Sequence, residues 1–148
     1  MTTLIAFSGS LRADSFNTRI LKALPALAPE GTNIALFDIA ELPMYNQDLD
    51  ADTVPPIVEA LRAAIAEADG VIIAGPEYSG SYSGATKNLI DWASRPFMKG
   101  PIIGKRSMVI GATPGPGGGA RVVEATSALL TALGGTVVGR ANAAAIHE

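Results

Sequence analysis

Short apolar runs alternate along this chain with segments of helical period, and that alternation limits the fold more than any other feature. Leu4 to Phe7, Asn33 to Asp38, Val71 to Gly75 and Ser107 to Ala112 are each bounded by turn residues. Such runs read as strands buried on both faces. Between the first two, Phe16, Ile20, Leu21, Leu24 and Leu27 fall on one helical face, with Ser15 as cap and Pro29 to Gly31 as stop. Pro55 and Pro56 open a second helix carrying Ile57, Leu61, Ala64, Ile65 and Ala68, which Asp69-Gly70 ends. Ala85, Leu89 and Trp92 mark a short amphipathic third helix, and Arg121 to Leu133 a fourth, closed by Gly134-Gly135. Thr136 to Val138 starts a fifth strand. Parallel neighbours need a right-handed crossover of about a dozen residues, and these helices supply it. The class is α/β, a doubly wound parallel sheet.

At 148 residues the chain is expected to form one domain, residues 1–148. Its 48% hydrophobic and 17% charged content argues against disorder and fibrous repeats. Without cysteine, disulfides, thiolate metal sites and cysteine nucleophiles are excluded, and a reducing cytoplasm is the expected setting. The lone histidine, His147, leaves no catalytic triad and no histidine metal site, so no metal is expected. Eleven basic against fourteen acidic residues give net −3, without the positive field that nucleic-acid binding requires. No basic residue lies between Lys22 and Arg62, where Glu30, Asp38, Glu41, Asp48, Asp50, Asp52 and Glu59 are expected to form a solvated acidic flank. No apolar stretch approaches the ~18 residues of a membrane span, and the chain enters a strand pattern without a charged signal region. It is expected to be soluble and unprocessed.

In sheets of this class ligands bind beyond the carboxyl ends of the strands, which directs attention to three loops. The first, Ser8-Gly9-Ser10-Leu11-Arg12-Ala13-Asp14-Ser15-Phe16-Asn17-Thr18, gathers hydroxyls and one guanidinium at the mouth of helix one. Free N–H groups and the positive helix end favour an anion there. Arg12 offers a planar fork, and Ser10, Ser15 and Asn17 add hydrogen bonds suited to one terminal phosphate. The competing reading is that the serines and asparagine only cap and turn. Neither the P-loop nor the dinucleotide glycine pattern is present, which disfavours a nucleotide hydrolase. The second loop, Pro76 to Gly84, combines glycine-freed backbone with Tyr78 and Tyr82, so a flat ring could lie on it; an ordinary surface loop is the alternative. The third, Thr113 to Gly119, offers room and backbone donors.

A monophosphate pocket beside a ring-sized platform describes a flavin mononucleotide site. The motifs S-G-S-L-R-A-D-S-F-N-T from Ser8, L-P-M-Y-N-Q-D-L from Leu42, P-E-Y-S-G-S-Y-S-G-A-T-K-N-L-I-D-W from Pro76 and G-G-A-R from Gly118 resemble the NADPH-dependent FMN reductase family, which includes azoreductases, quinone reductases and chromate reductases of flavodoxin-like fold. The resemblance implies that Ser10, Arg12, Ser15 and Asn17 hold the FMN phosphate and that Pro76, Glu77, Tyr78 and Ser79 line the isoalloxazine, with Thr113 and Gly115 closing its other edge. It implies NADPH or NADH as hydride donor to flavin N5 and a quinone, azo compound or oxyanion as small-molecule acceptor, by ping-pong turnover with no protein side chain as catalyst. It also implies a homodimer or homotetramer. Arg95, in Trp92-Ala93-Ser94-Arg95-Pro96, would meet an anionic substrate, pair across a subunit interface or stand solvated. Lys87 and Asp91 read as a helix-surface pair.

The chain departs from the family pattern at three neighbouring positions. The family usually carries asparagine at 79, a small or branched apolar residue at 82 and proline at 83. Ser79 is shorter and would lose a contact near the ring, while Tyr82 would crowd the ring or stack on substrate. The resemblance further implies a last helix after strand five that this sequence does not contain. Ala141 to Ile146 is then an edge strand bare on one side or covered by a partner subunit, unless the sequence is trimmed. The alternative function is a flavodoxin-like electron carrier or flavin-binding regulatory module that does not turn over NAD(P)H.

Overall fold

The computed structural model describes residues 1–144. Five strands, β1 (Thr2–Ser8), β2 (Thr32–Phe37), β3 (Gly70–Gly75), β4 (Arg106–Ala112) and β5 (Thr136–Ala143), alternate with α1 (Phe16–Leu27), α2 (Pro56–Glu67), α3 (Gly84–Ala93) and α4 (Ala120–Ala132). All neighbouring strands pair in parallel, in the order β2-β1-β3-β4-β5. This is the flavodoxin-like order, whose winding reverses between β1 and β3 and so parts the loops that leave those strands.

Local chemistry explains where the helices begin and end. Ser15 caps α1, its hydroxyl accepting the Thr18 N–H at 3.3 Å. Pro55 and Pro56 open α2, where proline's missing N–H removes no helical bond. The α4 terminus is a Schellman motif: Gly134, at φ 77°, donates to the Thr131 carbonyl and Gly135 to Leu130. Glycine suits this left-handed position because it carries no Cβ.

The sheet divides two cores. On one face Ile5, Phe7, Val71, Ile73 and Val109 pack against Leu61 of α2, Leu89 and Trp92 of α3, and Leu130 of α4. On the other, Ala6, Ile72, Ala74 and Ile110 pack against Leu21 of α1. The second helix buries Val58, Leu61 and Ile65, with Ile57 and Ala64 half-buried against the same core, so the expected face points inward. Burial of α3 extends to Thr86, Asn88, Leu89, Ile90, Trp92 and Ala93, more than an amphipathic surface helix would show. A strap covers it: Asn88 accepts the Tyr45 N–H at 2.7 Å, and Asn88 Nδ2 and Trp92 Nε1 both donate to the Pro43 carbonyl.

Three expectations need correction. β2 is not a buried strand; it is an edge strand with Asn33, Ala35 and Leu36 exposed, because sheet order, invisible to an apolar run, leaves it one neighbour. Asp50 does not belong to a solvated acidic flank, since it pairs with Arg62 at 2.9 Å and both side chains are largely covered. The last strand begins at Thr136, as expected, but runs through Ala143. A register shift at Ser107/Met108 skips Val138, which is 66% exposed. Ala145, Ile146 and His147 lie outside the described residues. Among the described residues no helix is long and apolar enough to cross a membrane.

Candidate functional site

The loops that follow β1, β3 and β4 meet around one cleft of about 610 Å³. Ser10, Arg12, Ser15, Phe16 and Asn17 line it from the first loop and α1, Pro76, Glu77 and Tyr78 from the second loop, and Ala112, Thr113 and Pro114 from the third. Eight of the ten residues expected to bind the cofactor are therefore together. Gly115 lines a neighbouring cavity that shares Glu77 and Thr113 with the cleft. Ser79 lines neither cavity.

The first loop is held by its own hydroxyls. Ser8 Oγ lies 2.7 Å from Thr18 Oγ1 and accepts the Ser10 N–H at 3.3 Å, tying the loop to α1. Gly9 has no room for a Cβ, which would collide with Thr86 Oγ1 of α3. Arg12 is exposed, with its guanidinium 5.6 Å from the Phe16 ring centroid. The first turn of α1 contains no acidic residue, and its unpaired N–H groups and positive dipole end open at the cleft, with Asp14 just before the cap. Ser15 accepts from Thr18 and retains its hydroxyl proton for donation.

Asn17 departs from the expected role. It is 3% exposed, and its side-chain amide donates to the Ala112 carbonyl and accepts the Ala112 N–H, each at 3.0 Å. That pairing latches α1 to the end of β4 across 95 residues of sequence. What Asn17 can offer an anion is its backbone N–H, at the second position of the helix.

The second loop is shaped by backbone. Tyr78 and Ser81 exchange N–H···O bonds of 3.0 Å in both directions, and Ser79 and Gly80 between them have φ of 51° and 75°. Positive φ at both central residues is the pattern of a type I′ turn. Asparagine tolerates that conformation better than serine does, and the family usually carries asparagine at this position. Glu77 is likewise committed: its carboxylate accepts the Arg121 N–H at 3.2 Å, at a helix start whose cap residue, Gly119, has no side chain. Ser83, where the family usually has proline, caps α3 by accepting the Thr86 N–H and donates to the Gly9 carbonyl at 2.6 Å, joining the two loops. Tyr78 is 56% exposed. Tyr82 is half-buried and does not line the cleft.

Arg95 stands apart. Its Nε donates to Tyr45 Oη at 3.1 Å, and its guanidinium lies over Tyr45 and Phe97, so it lines a separate cavity with Tyr45, Asp50 and Phe97. It is a pinned arginine on the strap side of α3. Lys87 and Asp91 form the expected pair at 2.7 Å.

A cleft at the switch point, with a helix mouth and an arginine at one end and segments 76–78 and 113–114 at the other, fits a phosphorylated ring compound in size and donor set. The family model of NADPH-dependent FMN reductases matches residues 2–148, and the chain belongs to that family. An NAD(P)H-dependent FMN reductase of Pseudomonas aeruginosa is 44% identical over 118 residues, which cover 80% of this chain and 63% of the relative. A 2-hydroxy-1,4-benzoquinone reductase of Burkholderia sp is 45% identical over 107 residues, 72% of this chain and 58% of the relative. The solved structure of FerB, a flavoenzyme NAD(P)H:(acceptor) oxidoreductase from Paracoccus denitrificans, matches with TM-score 0.85 and 39% identity over 94% of this chain and 75% of that one. The chain thus spans less than two thirds of the length of these two curated relatives.

Proposed function

We propose that residues 1–148 act as one FMN-binding domain of a cytoplasmic NAD(P)H oxidoreductase that delivers electrons to quinones, azo compounds or similar small acceptors. The observation that carries this reading is the convergence of three strand-end loops on one cleft whose donors are concentrated at the α1 end. Arg12 neutralises the FMN phosphate while Ser10, the Ser15 hydroxyl and the Asn17 N–H orient it. Pro76, Glu77, Tyr78 and Thr113 flank the isoalloxazine. FMN, when bound, supplies hydride acceptance and onward electron transfer, so the chain's own residues need only hold, orient and shield. With one cleft for donor and acceptor, turnover is ping-pong. A homodimer or homotetramer covers the side of the cleft where Tyr78 stands exposed, and Tyr82 and Arg95 act at most in that contact.

The test is an anaerobic titration of the FMN-loaded protein with NADPH and with NADH. The expected result is bleaching of the flavin absorbance before any acceptor is added, then recovery on adding a quinone. A flavin that stays oxidised under excess of both donors would replace this reading with an electron carrier. Failure to bind FMN would remove both. Light scattering at micromolar concentration is expected to give a dimer or tetramer.

A further inference from the structure

A second cavity, about 300 Å³, lies across the first loop from the candidate flavin cleft and shares Ser10 and Arg12 with it. Thr18 and Lys22, one turn apart on α1, form one wall, and Leu36, Phe37 and Asp38 at the end of β2 form another. It lies beyond the carboxyl ends of β1 and β2, the end of the sheet at which open α/β folds bind their ligands.

The charge around it is unusual for a chain of net −3. Arg12 and Arg19 each hold a guanidinium 5.6 Å from the Phe16 ring, and Lys22 follows one turn on. The ion pairs among the described residues, Asp50–Arg62 and Lys87–Asp91, engage none of the three. Cations near a helix N-terminus oppose the macrodipole, so Arg12 and Arg19 carry a cost that an anionic ligand would lift, while Lys22, in the middle of α1, adds its charge without that cost. A phosphate monoester brings about two negative charges, which Arg12 and the helix mouth already meet. Lys22 remains, beside a cavity with apolar walls for a base.

We propose that this cavity takes the adenosine 2′-phosphate end of NADPH, and that Lys22 is the residue favouring NADPH over NADH. The proposal rests on the flavin reading above, which places the nicotinamide in the adjoining cleft. Asp38, whose Oδ1 accepts the Ala40 N–H at 2.9 Å, puts one like charge beside the phosphate and limits the preference.

The probe is adenosine 2′,5′-bisphosphate, titrated calorimetrically against 5′-AMP into FMN-loaded and into flavin-free protein. In both forms the bisphosphate is expected to bind about tenfold more tightly, the size of one charge-assisted bond. Lys22→Gln should abolish that ratio while leaving 5′-AMP and FMN affinities within about twofold, and should raise the KM for NADPH but not for NADH. Asp38→Asn should tighten the bisphosphate. Arg106→Gln removes the same charge at the opposite end of the sheet, where Arg106 is exposed at the start of β4, and should change nothing. Equal effects of Lys22→Gln and Arg106→Gln would overturn the proposal. So would release of FMN by the bisphosphate, or inorganic phosphate competing as well as the nucleotide. FMN binding is scored separately, so loss of the flavin reading and loss of the adenosine site are distinguishable.

Discussion

The loops after β1 and β3 face each other across the cleft and are built in opposite ways. In the first, polar side chains do the holding, with buried Ser8, Ser15 and Asn17 and half-buried Thr18 bonded to neighbouring backbone or hydroxyl groups. In the second, a two-residue turn with positive φ at Ser79 and Gly80 sets the path, and Glu77 and Ser83 tie its ends to α4 and to the first loop. The difference teaches that a polar residue in a binding loop is not thereby a ligand contact. Within each loop some positions serve the scaffold and some remain free for ligand, and each kind should respond differently to substitution.

Asn17→Ala should have the largest effect. It strands the N–H and carbonyl of Ala112, itself 3% exposed, and should cost flavin-free stability about 2 to 4 kcal/mol, since unpaired buried polar groups cost about 1 to 3 each. Urea unfolding measures this. Arg12→Ala, in the same loop, should do the reverse: flavin-free stability within about 0.5 kcal/mol, because the side chain is exposed, and FMN affinity lower by about 1.5 to 3 kcal/mol. Calorimetry with FMN and with riboflavin checks it, since the loss should vanish for the ligand without phosphate. If Asn17→Ala weakens FMN and spares stability while Arg12→Ala destabilises the fold, the division within the first loop is wrong.

In the second loop Glu77→Ala should cost about 0.5 to 1 kcal/mol by uncapping α4. Glu77→Gln keeps an acceptor for the Arg121 N–H and should recover part of that, losing only the charge–dipole term. Equal losses from both variants would mean that the charge alone matters. A tenfold change in FMN affinity from Glu77→Gln would mean that the carboxylate, and not only the backbone of Glu77, meets the ligand.

These contrasts mark what can be read in a sequence like this one. Helix ends were legible because their signals are local: Ser15, Pro56 and the Gly134-Gly135 pair each act within one turn of their position. The alternation of strand and helix, with the directions of chain reversal that it demands, led to the parallel sheet, and the three loops to the cleft. The latch made by the Asn17 side chain is not legible locally, because its partner, Ala112, is 95 residues away and nothing in the local pattern separates a latch from a phosphate donor. The exposure of β2 and the pairing of Asp50 with Arg62 were hidden for the same reason, as both depend on sheet order and on how the strap lies over α3. Exposed residues with free groups, such as Arg12, are the ones that composition and spacing bring out.

Ser79→Asn and Ser79→Gly give the smallest effects, and the position gives the sharpest comparison. At φ 51° a serine side chain is strained, and left-handed conformations cost a residue with a Cβ about 1 kcal/mol or more. Ser79→Asn should therefore stabilise the flavin-free protein by about 0.5 kcal/mol, Ser79→Gly by a comparable amount, and Ser79→Val should destabilise it by about 1 to 2 kcal/mol, since a β-branched residue is least tolerant of positive φ. None of the three should move FMN affinity by more than about twofold, because Ser79 does not line the cleft and an effect below ~0.4 kcal/mol is all that a slightly stiffer turn would transmit. Unfolding and FMN titration on the same three variants give two independent orderings. An ordering Asn, Gly, Ser, Val in stability with flat affinity assigns the position to the turn. An affinity gain confined to asparagine, with stability unchanged, would assign it to the ring and would make the second loop read its ligand through side chains, as proposed for Arg12 in the first loop.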